Sequence, residues 1–399
     1  DPMHVPPCHV THLVYRLGTG GMENVVVQLI RNLPRTSFRH TVIALSDIDP
    51  EFARRLDGTD VELIALNKPP GQPYALYPKV YRLLRRLRPD VLHSCNLGAL
   101  EFVPVAALAR VPLRVHVEHG LDLHEINGKS TRYRLLRRLY RPFVSQYVAV
   151  SVDQARQCAQ IGAAAERVHL IPNGVETRVF RPRTSDDALP VGFPFQRERH
   201  WVIGTVGRQA DIKNPLLLVD AFVHLVRSGA PGTERLRLAM VGDGPLHSEM
   251  AQRLHNEGLS DRAWLPGARS DIADILRSFD CFVLPSLSEA TSCALQEAMA
   301  TGLAIVATNV GGNADVLDQG RCGSLVPSGD ATALATELLR LSQSGRPNAQ
   351  AQEALISVQR RYSLETVIQR YGDLFLSAAT HGPLEIAAQQ PAPPQDTMH

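Results

Sequence analysis

No apolar run in this chain approaches membrane-spanning length. The longest candidate, FVPVAALARVPLRV, is broken by Pro104, Arg110, Pro112 and Arg114. A basic segment followed by an apolar stretch is also missing from the start, so no secretory signal is expected. Asp1-Pro2 reads as a foreign remainder ahead of a natural start at Met3. Cysteines are few and scattered (Cys8, Cys95, Cys158, Cys281, Cys293, Cys322), with no CxxC and no His-rich ligand spacing. That excludes a structural zinc site and favours free thiols in a reducing compartment, hence the cytoplasm. Aromatics make up only 6% and are not interleaved with basic residues, which argues against nucleic acid as a partner.

What is present is an ordinary globular composition, 44% apolar and 21% charged over 399 residues, long enough for two domains. The net charge of +2 conceals an asymmetry. Residues 1–190 hold 25 Lys+Arg against 18 Asp+Glu, a balance of +7, and the remainder carries −5. The first half is therefore expected to face something anionic.

Short β-rich runs alternate with helical patterns throughout, the pattern of parallel sheets in βα units. Strands are expected at HVTHLVYRL, HTVIALS, VELIAL, DVLHSC, LRVHVEHG, YVAVS and VHLIPN. The second half repeats the alternation from WVIGTVGR to GSLVP. The expected division is an N-terminal Rossmann-like domain over 1–180, a Pro-rich linker over 181–199 and a C-terminal Rossmann-like domain over 200–362. A returning helix over 363–380 and a disordered tail over 381–399 complete it. Two doubly wound domains would then face one another across a cleft, with ligands at the carboxyl ends of the strands.

The distinctive residues fall on those strand-to-helix loops. GTGGMEN ends the first strand, where Gly18, Gly20 and Gly21 precede a helix beginning near Met22 whose free N–H groups suit an anion; a tight βα turn would look the same. VGRQADIKN puts Arg208 at a strand end and Lys213 five residues on, a pair suited to a diphosphate or, singly, to solvent. VGDGP, with Gly242, lets backbone approach a base or ribose. PSLSEATSCALQEAMATG carries Glu289 in a loop and Glu297 on a helix beginning near Thr291 or Ser292. The helix start suits phosphate, and a carboxylate can accept two hydrogen bonds from a sugar diol.

Glu289 and Glu297 with AMATGLAIVATNVGG, preceded by IPNGVE, VGR…KN and VGDGP, resemble the signature of the retaining family 4 glycosyltransferases of the GT-B fold. HLVYRLGTGGMENVVVQLI and EHG add a similarity to bacterial exopolysaccharide and exosortase-associated sugar transferases. The resemblance implies a UDP- or GDP-sugar donor, no metal and no cofactor. It implies that Arg208 and Lys213 hold the donor diphosphate, with Thr291, Ser292 and Gly242 nearby. Glu297 would bind the ribose, Glu289 the transferred sugar, His119 the region of the sugar 6-position, and Gly20 and Gly21 a loop over the phosphates. The acceptor would be a lipid-linked or saccharide hydroxyl. Ala290 departs from the family, which usually has Gly after the first Glu. A nucleotide-sugar epimerase or a non-catalytic nucleotide-sugar binder would use many of the same residues.

YRLLRRL occurs twice, at 81–87 and 133–139. Helical spacing places Leu83, Leu84 and Leu87, and again Leu135, Leu136 and Leu139, on one apolar stripe, with the arginines turned outward. Two βα helices with similar stop signals explain this, while peripheral contact with an anionic membrane surface is the alternative.

Overall fold

Among the described residues every strand pairing is parallel, which requires a crossover after each strand and covers both sheet faces. A computed structural model describes residues 5–118, 130–289, 292–345 and 348–380. The chain forms two compact units, one running to Asn173 and resuming at Val367, the other covering Gly174–Thr366.

The first unit holds seven strands: β1 (Cys8–Val14), β2 (Phe38–Ala44), β3 (Glu62–Ala65), β4 (Val91–Cys95), β5 (Leu113–Glu118), β6 (Gln146–Ala149) and β7 (Val168–Leu170). Their order is β3-β2-β1-β4-β5-β6-β7. The second holds β8 (Trp201–Val206), β9 (Leu236–Val241), β10 (Ala263–Gly267), β11 (Cys281–Leu284), β12 (Ala304–Thr308) and β13 (Ser324–Val326), ordered β10-β9-β8-β11-β12-β13. Strand order reverses at β1/β4 and at β8/β11, the switch points where open α/β sheets leave a crevice. In the second sheet the period of two sorts the core cleanly. Phe282 and Leu284 join one apolar layer, and Cys281 and Val283 the other.

The stretch 181–199 has no regular element, but Phe193 and Phe195 pack into the second unit's core, and Arg181 pairs with Asp187 at 2.8 Å. The segment between β4 and β5 carries two short helices, Leu97–Leu100 and Val103–Leu108, and a further helix runs Ala349–Ser357. The two YRLLRRL copies diverge. In Leu76–Leu87, Leu84 is buried as the stripe requires. In Ser130–Tyr140, Leu135 and Leu139 stand 68% and 62% exposed, while Arg137 turns inward to Glu118, with Nε 3.0 Å from Oε2. Heptad position alone did not fix the facing, because a buried carboxylate on β5 draws the arginine in.

The first sheet has an unusually polar interior. His12 of β1 bonds through Nδ1 to His93 Nδ1 of β4 at 2.9 Å and through Nε2 to His40 Nδ1 of β2 at 3.0 Å. His9 bonds Thr41 Oγ1 at 2.8 Å. The helix Leu364–Leu376 covers this row, with Tyr371 and Phe375 ring centroids 5.8 and 5.5 Å from that of His93. Burial, reinforced by the neighbouring imidazoles, lowers His12 well below its ordinary value, His93 to about 3 and His40 to about 4.

All three rings are neutral in the folded chain and titrate near 6.5 once unfolded, so the unfolded state binds more protons between those values. Stability is full above pH 6.5 and falls with acidification, by about 1.4 kcal/mol per pH unit for each such histidine. Urea denaturation at pH 7, 5.5 and 4.5 should show a steep decline in the first unit's stability. A flat profile would refute the neutral-histidine row.

Candidate functional site

At the β8/β11 switch point the chain leaves both strands toward the same end of the sheet. After β8, Gly207 adopts φ 159° and Arg208 is exposed, with a side chain that makes no hydrogen bond or ion pair among the described residues. A single turn, Asp211–Lys213, then delivers Lys213, and Asn214 takes a left-handed conformation (φ 48°) that sets Pro215 as the first residue of the helix Pro215–Arg227. After β11, the loop 285–289 brings Glu289 back, with Leu287 N–H donating to Ile212 C=O at 2.8 Å. Lys213 Nζ meets Glu289 Oε1 at 2.6 Å, and Ser286 Oγ donates to the same oxygen at 2.7 Å. Glu289 is only 7% exposed. A cavity of about 20 Å³ beside Arg208 and Lys213 is closed by Ser286.

Close backbone packing holds these loops. A Cβ on Gly242 would lie 1.9 Å from Gly207 C=O, and one on Gly311 1.7 Å from Glu289 C=O, where Gly311 also has φ 51°. Only glycine meets both demands at these two positions. Thr308 Oγ1 donates to Ser286 C=O at 2.6 Å, and Asn313 Nδ2 to Thr308 C=O at 2.9 Å, so the end of β12 braces the Glu289 loop. Gln209, 3% exposed, accepts through Oε1 from His247 Nδ1–H at 2.7 Å and ties the β8 loop to the helix His247–Asn256.

Ser292 caps the helix Cys293–Ala300, its side chain accepting from Leu295 N–H at 3.1 Å. Leu295, Ala298 and Met299 face the core. Glu297 sits half-buried on the same helix; its carboxyl group makes no hydrogen bond or ion pair among the described residues, and burial raises it to about 7. The two glutamates thus have opposite surroundings: Glu289 is bonded twice, and Glu297 has its acceptor capacity unspent.

Of the residues singled out in the sequence, Arg208, Lys213, Glu289 and Gly242 come together around one loop cluster. Ser292 and Glu297 occupy the following helix and make no bond to that cluster. Thr291, Ala290 and His119 lie outside the described residues. Gly20 and Gly21 belong to the first unit, at the carboxyl end of β1. Gly20 is extended rather than left-handed, and Gly21 opens the helix Gly21–Asn32. At Gly20 the constraint is Glu23, whose Oε2 would lie 2.2 Å from an added Cβ. Ser286, Asn214 and Gly311 had no assigned role in the sequence. Only Ser286 left a local signal, three residues before Glu289.

Residues 19–179 match the description Glycosyltransferase Family 4, and residues 200–344 match Glycosyl transferases group 1. A D-inositol 3-phosphate glycosyltransferase of Catenulispora acidiphila is 32% identical over 358 residues, covering 80% of this chain and 82% of its own. An Escherichia coli UDP-Gal:alpha-D-GlcNAc-diphosphoundecaprenol alpha-1,3-galactosyltransferase is 26% identical over 74% of this chain and 78% of its own. Among solved structures, HepE of Anabaena in complex with UDP aligns with a TM-score of 0.73 and 21% identity, covering 92% of this chain and 99% of that one.

Gly311→Ala should lower thermal stability by more than about 2 kcal/mol, because it adds a backbone clash to the left-handed strain. Gly229→Ala (φ 64°, open space around the added Cβ) carries the strain alone and should cost about 1 kcal/mol. Equal melting shifts for the two would refute the bracing of Glu289 by Gly311.

Proposed function

The chain belongs to the glycosyltransferases of family 4 and group 1, with a GT-B fold, and on that premise we propose a specific transfer. It moves a sugar, with retention of anomeric configuration, from a nucleoside-diphosphate sugar to a hydroxyl of a lipid-linked or saccharide acceptor. The setting is bacterial exopolysaccharide or cell-surface glycan synthesis. The observation that carries the reading is the unpartnered, half-buried Glu297 carboxylate beside a loop cluster with a free arginine and a paired lysine and glutamate. Such a carboxylate suits two hydroxyls of a ribose, and the cations suit a diphosphate. The relatives support it by their own names, which include UDP-Gal as donor with a diphosphoundecaprenol acceptor, and GDP-mannose as donor.

In this reading Arg208 and Lys213 hold the diphosphate and Glu289 contacts the transferred sugar. Gly242, Thr291 and Ser292 lie along the nucleotide, His119 near the sugar 6-position, and Gly20 and Gly21 over the phosphates. The bond from the anomeric carbon to the phosphate oxygen breaks, and one from that carbon to the acceptor oxygen forms on the same face. The acceptor proton passes to the departing phosphate oxygen, and the nucleoside diphosphate leaves. Arg208 and Lys213 stabilise the charge that develops there, so no metal ion or cofactor is required. The enzyme works in the cytoplasm, at the inner membrane face.

No helix among the described residues is long and apolar enough to cross a membrane. Leu135 and Leu139, exposed beside Arg134 and Arg138, support peripheral attachment to an anionic surface. Replacing both leucines with serine should weaken co-sedimentation with phosphatidylglycerol vesicles about tenfold or more. Unchanged co-sedimentation would remove this face from consideration.

Hydroxyls donating to Glu297 favour its ionised form. Below its value of about 7 the carboxyl must first lose a proton, so donor binding weakens with acidification. Calorimetric titration with UDP-glucose, GDP-mannose and ADP-glucose should give one preferred donor. Its affinity should rise about tenfold from pH 6 to pH 8, and Glu297→Gln should flatten that rise. No binding of any of the three overturns the reading. Binding without transfer identifies a non-catalytic binder, and donor isomerisation without acceptor an epimerase.

A further inference from the structure

Gln209 spends its backbone and side-chain hydrogen-bonding groups on one segment of the second unit. Its N–H donates to Asp243 C=O at 3.0 Å, and its C=O accepts from Leu246 N–H at 2.9 Å. The carboxamide Nε2 donates to Met240 C=O at 3.4 Å, and Oε1 accepts from His247 Nδ1–H at 2.7 Å. Met240 lies near the end of β9, and His247 opens the helix His247–Asn256. The two side-chain bonds therefore bridge the flanks of the VGDGP turn.

A carboxamide suits this bridge because it carries a donor and an acceptor on one planar group. A carboxylate would offer no donor to Met240 C=O, and a leucine would offer neither partner. Gln209 is buried, so solvent does not replace a bond lost there. Its orientation also sets His247: with Nε2 aimed at a carbonyl, Oε1 faces the imidazole, and Nδ1 must carry a proton. The backbones are pressed together beside it, since a Cβ on Gly244 would lie 2.4 Å from Gln209 C=O.

Arg208 is the residue before Gln209, and Gly242 lies inside the bridged turn. In the transferase reading Arg208 meets the diphosphate and Gly242 the nucleoside end of the same donor. A ligand gripped at two places binds tightly only when the spacing of the grips matches its own. We propose that Gln209 is a positioning residue for donor binding: acting through Met240 and His247, it holds the Gly242 turn at a fixed distance from Arg208, so that one nucleoside diphosphate engages both. The ligand in this proposal rests on the transferase reading.

The test compares Gln209→Leu, His247→Leu and His247→Asn with the parent, each as the full chain. Asparagine offers an amide N–H where Nδ1–H stood, so it restores the bond that leucine removes. Calorimetric titration with UDP, GDP and ADP identifies the nucleotide that the parent binds most tightly. That nucleotide should bind about tenfold more weakly to both leucine variants, and within about twofold of the parent to His247→Asn. Inorganic pyrophosphate reaches only the Arg208 end, and by phosphorus NMR it should bind every variant as it binds the parent. Nitrogen NMR of labelled histidines should show one ring, identified by its loss in His247→Asn, with its proton on Nδ1 in the parent and not in Gln209→Leu. His247 is half-buried, so its variants carry the test if Gln209→Leu does not fold. Equal nucleotide binding by the parent and the leucine variants overturns the proposal. So does a parallel loss of pyrophosphate binding, which marks a merely structural role, or a neutral His247 protonated on Nε2 in the parent. A parent that binds none of the three nucleotides sinks the transferase reading and this role with it, whereas a parent that binds one, with no loss in the variants, sinks the role alone.

Discussion

The contact on which the candidate site depends is the bond between Lys213 and Glu289. A carboxylate taken almost wholly out of water loses several kcal/mol of hydration, and here one ammonium and one hydroxyl replace it, at 2.6 and 2.7 Å. Lys213 lies 76 residues from Glu289 in sequence, so the bond fixes the loop after β8 against the loop after β11. Removing the lysine would leave a buried charge with a single serine partner. The β12 end then closes the arrangement: Thr308 bonds and Gly311 packs on the backbone of the Glu289 loop, and Asn313 in turn bonds Thr308.

The two units solve the same topology with different interiors. In the second, the strand period sorts apolar side chains into two layers. In the first, β1 carries His9 and His12 into the sheet, and the cost of burying imidazoles is met by bonding them to one another and to Thr41. One nitrogen at the end of that chain, His40 Nε2, has no hydrogen-bond partner among the described residues. Tyr371 and Phe375 shut the row from above. A polar interior of this kind is stable only while its rings stay neutral, so that unit carries the pH sensitivity.

The parallel sheets and the placement of Arg208, Lys213 and Glu289 on loops that follow strands were legible because each is local. A β-rich run, a following turn and a helix start all lie within a few residues of one another. What was not legible depends on neighbours distant in sequence. Gly311 stood in plain view in NVGG, but its role comes from Glu289 C=O, 22 residues earlier. Asn214 looks like any residue before a proline until its left-handed φ is seen. The second YRLLRRL word misled for the same reason. Its leucines have helical spacing, yet Glu118 of β5 decides which way Arg137 turns, and the stripe is left facing outward.

The two glutamates show why a shared motif need not mean a shared role. They stand eight residues apart in one signature, and identity alone cannot tell them apart. Glu289 is almost buried and already satisfied by a cation and a hydroxyl, so it acts as a fixed charge that positions what lies next to it. Glu297 is half-buried and unpartnered among the described residues, and its raised carboxyl reports a desolvation that no protein donor offsets. Energetically it is an unfinished site, and a pair of ligand hydroxyls is the simplest group that completes it. The difference between the two therefore lies in their surroundings: one is held in the loop cluster by Lys213 and Ser286, and the other keeps a carboxylate that no described residue satisfies.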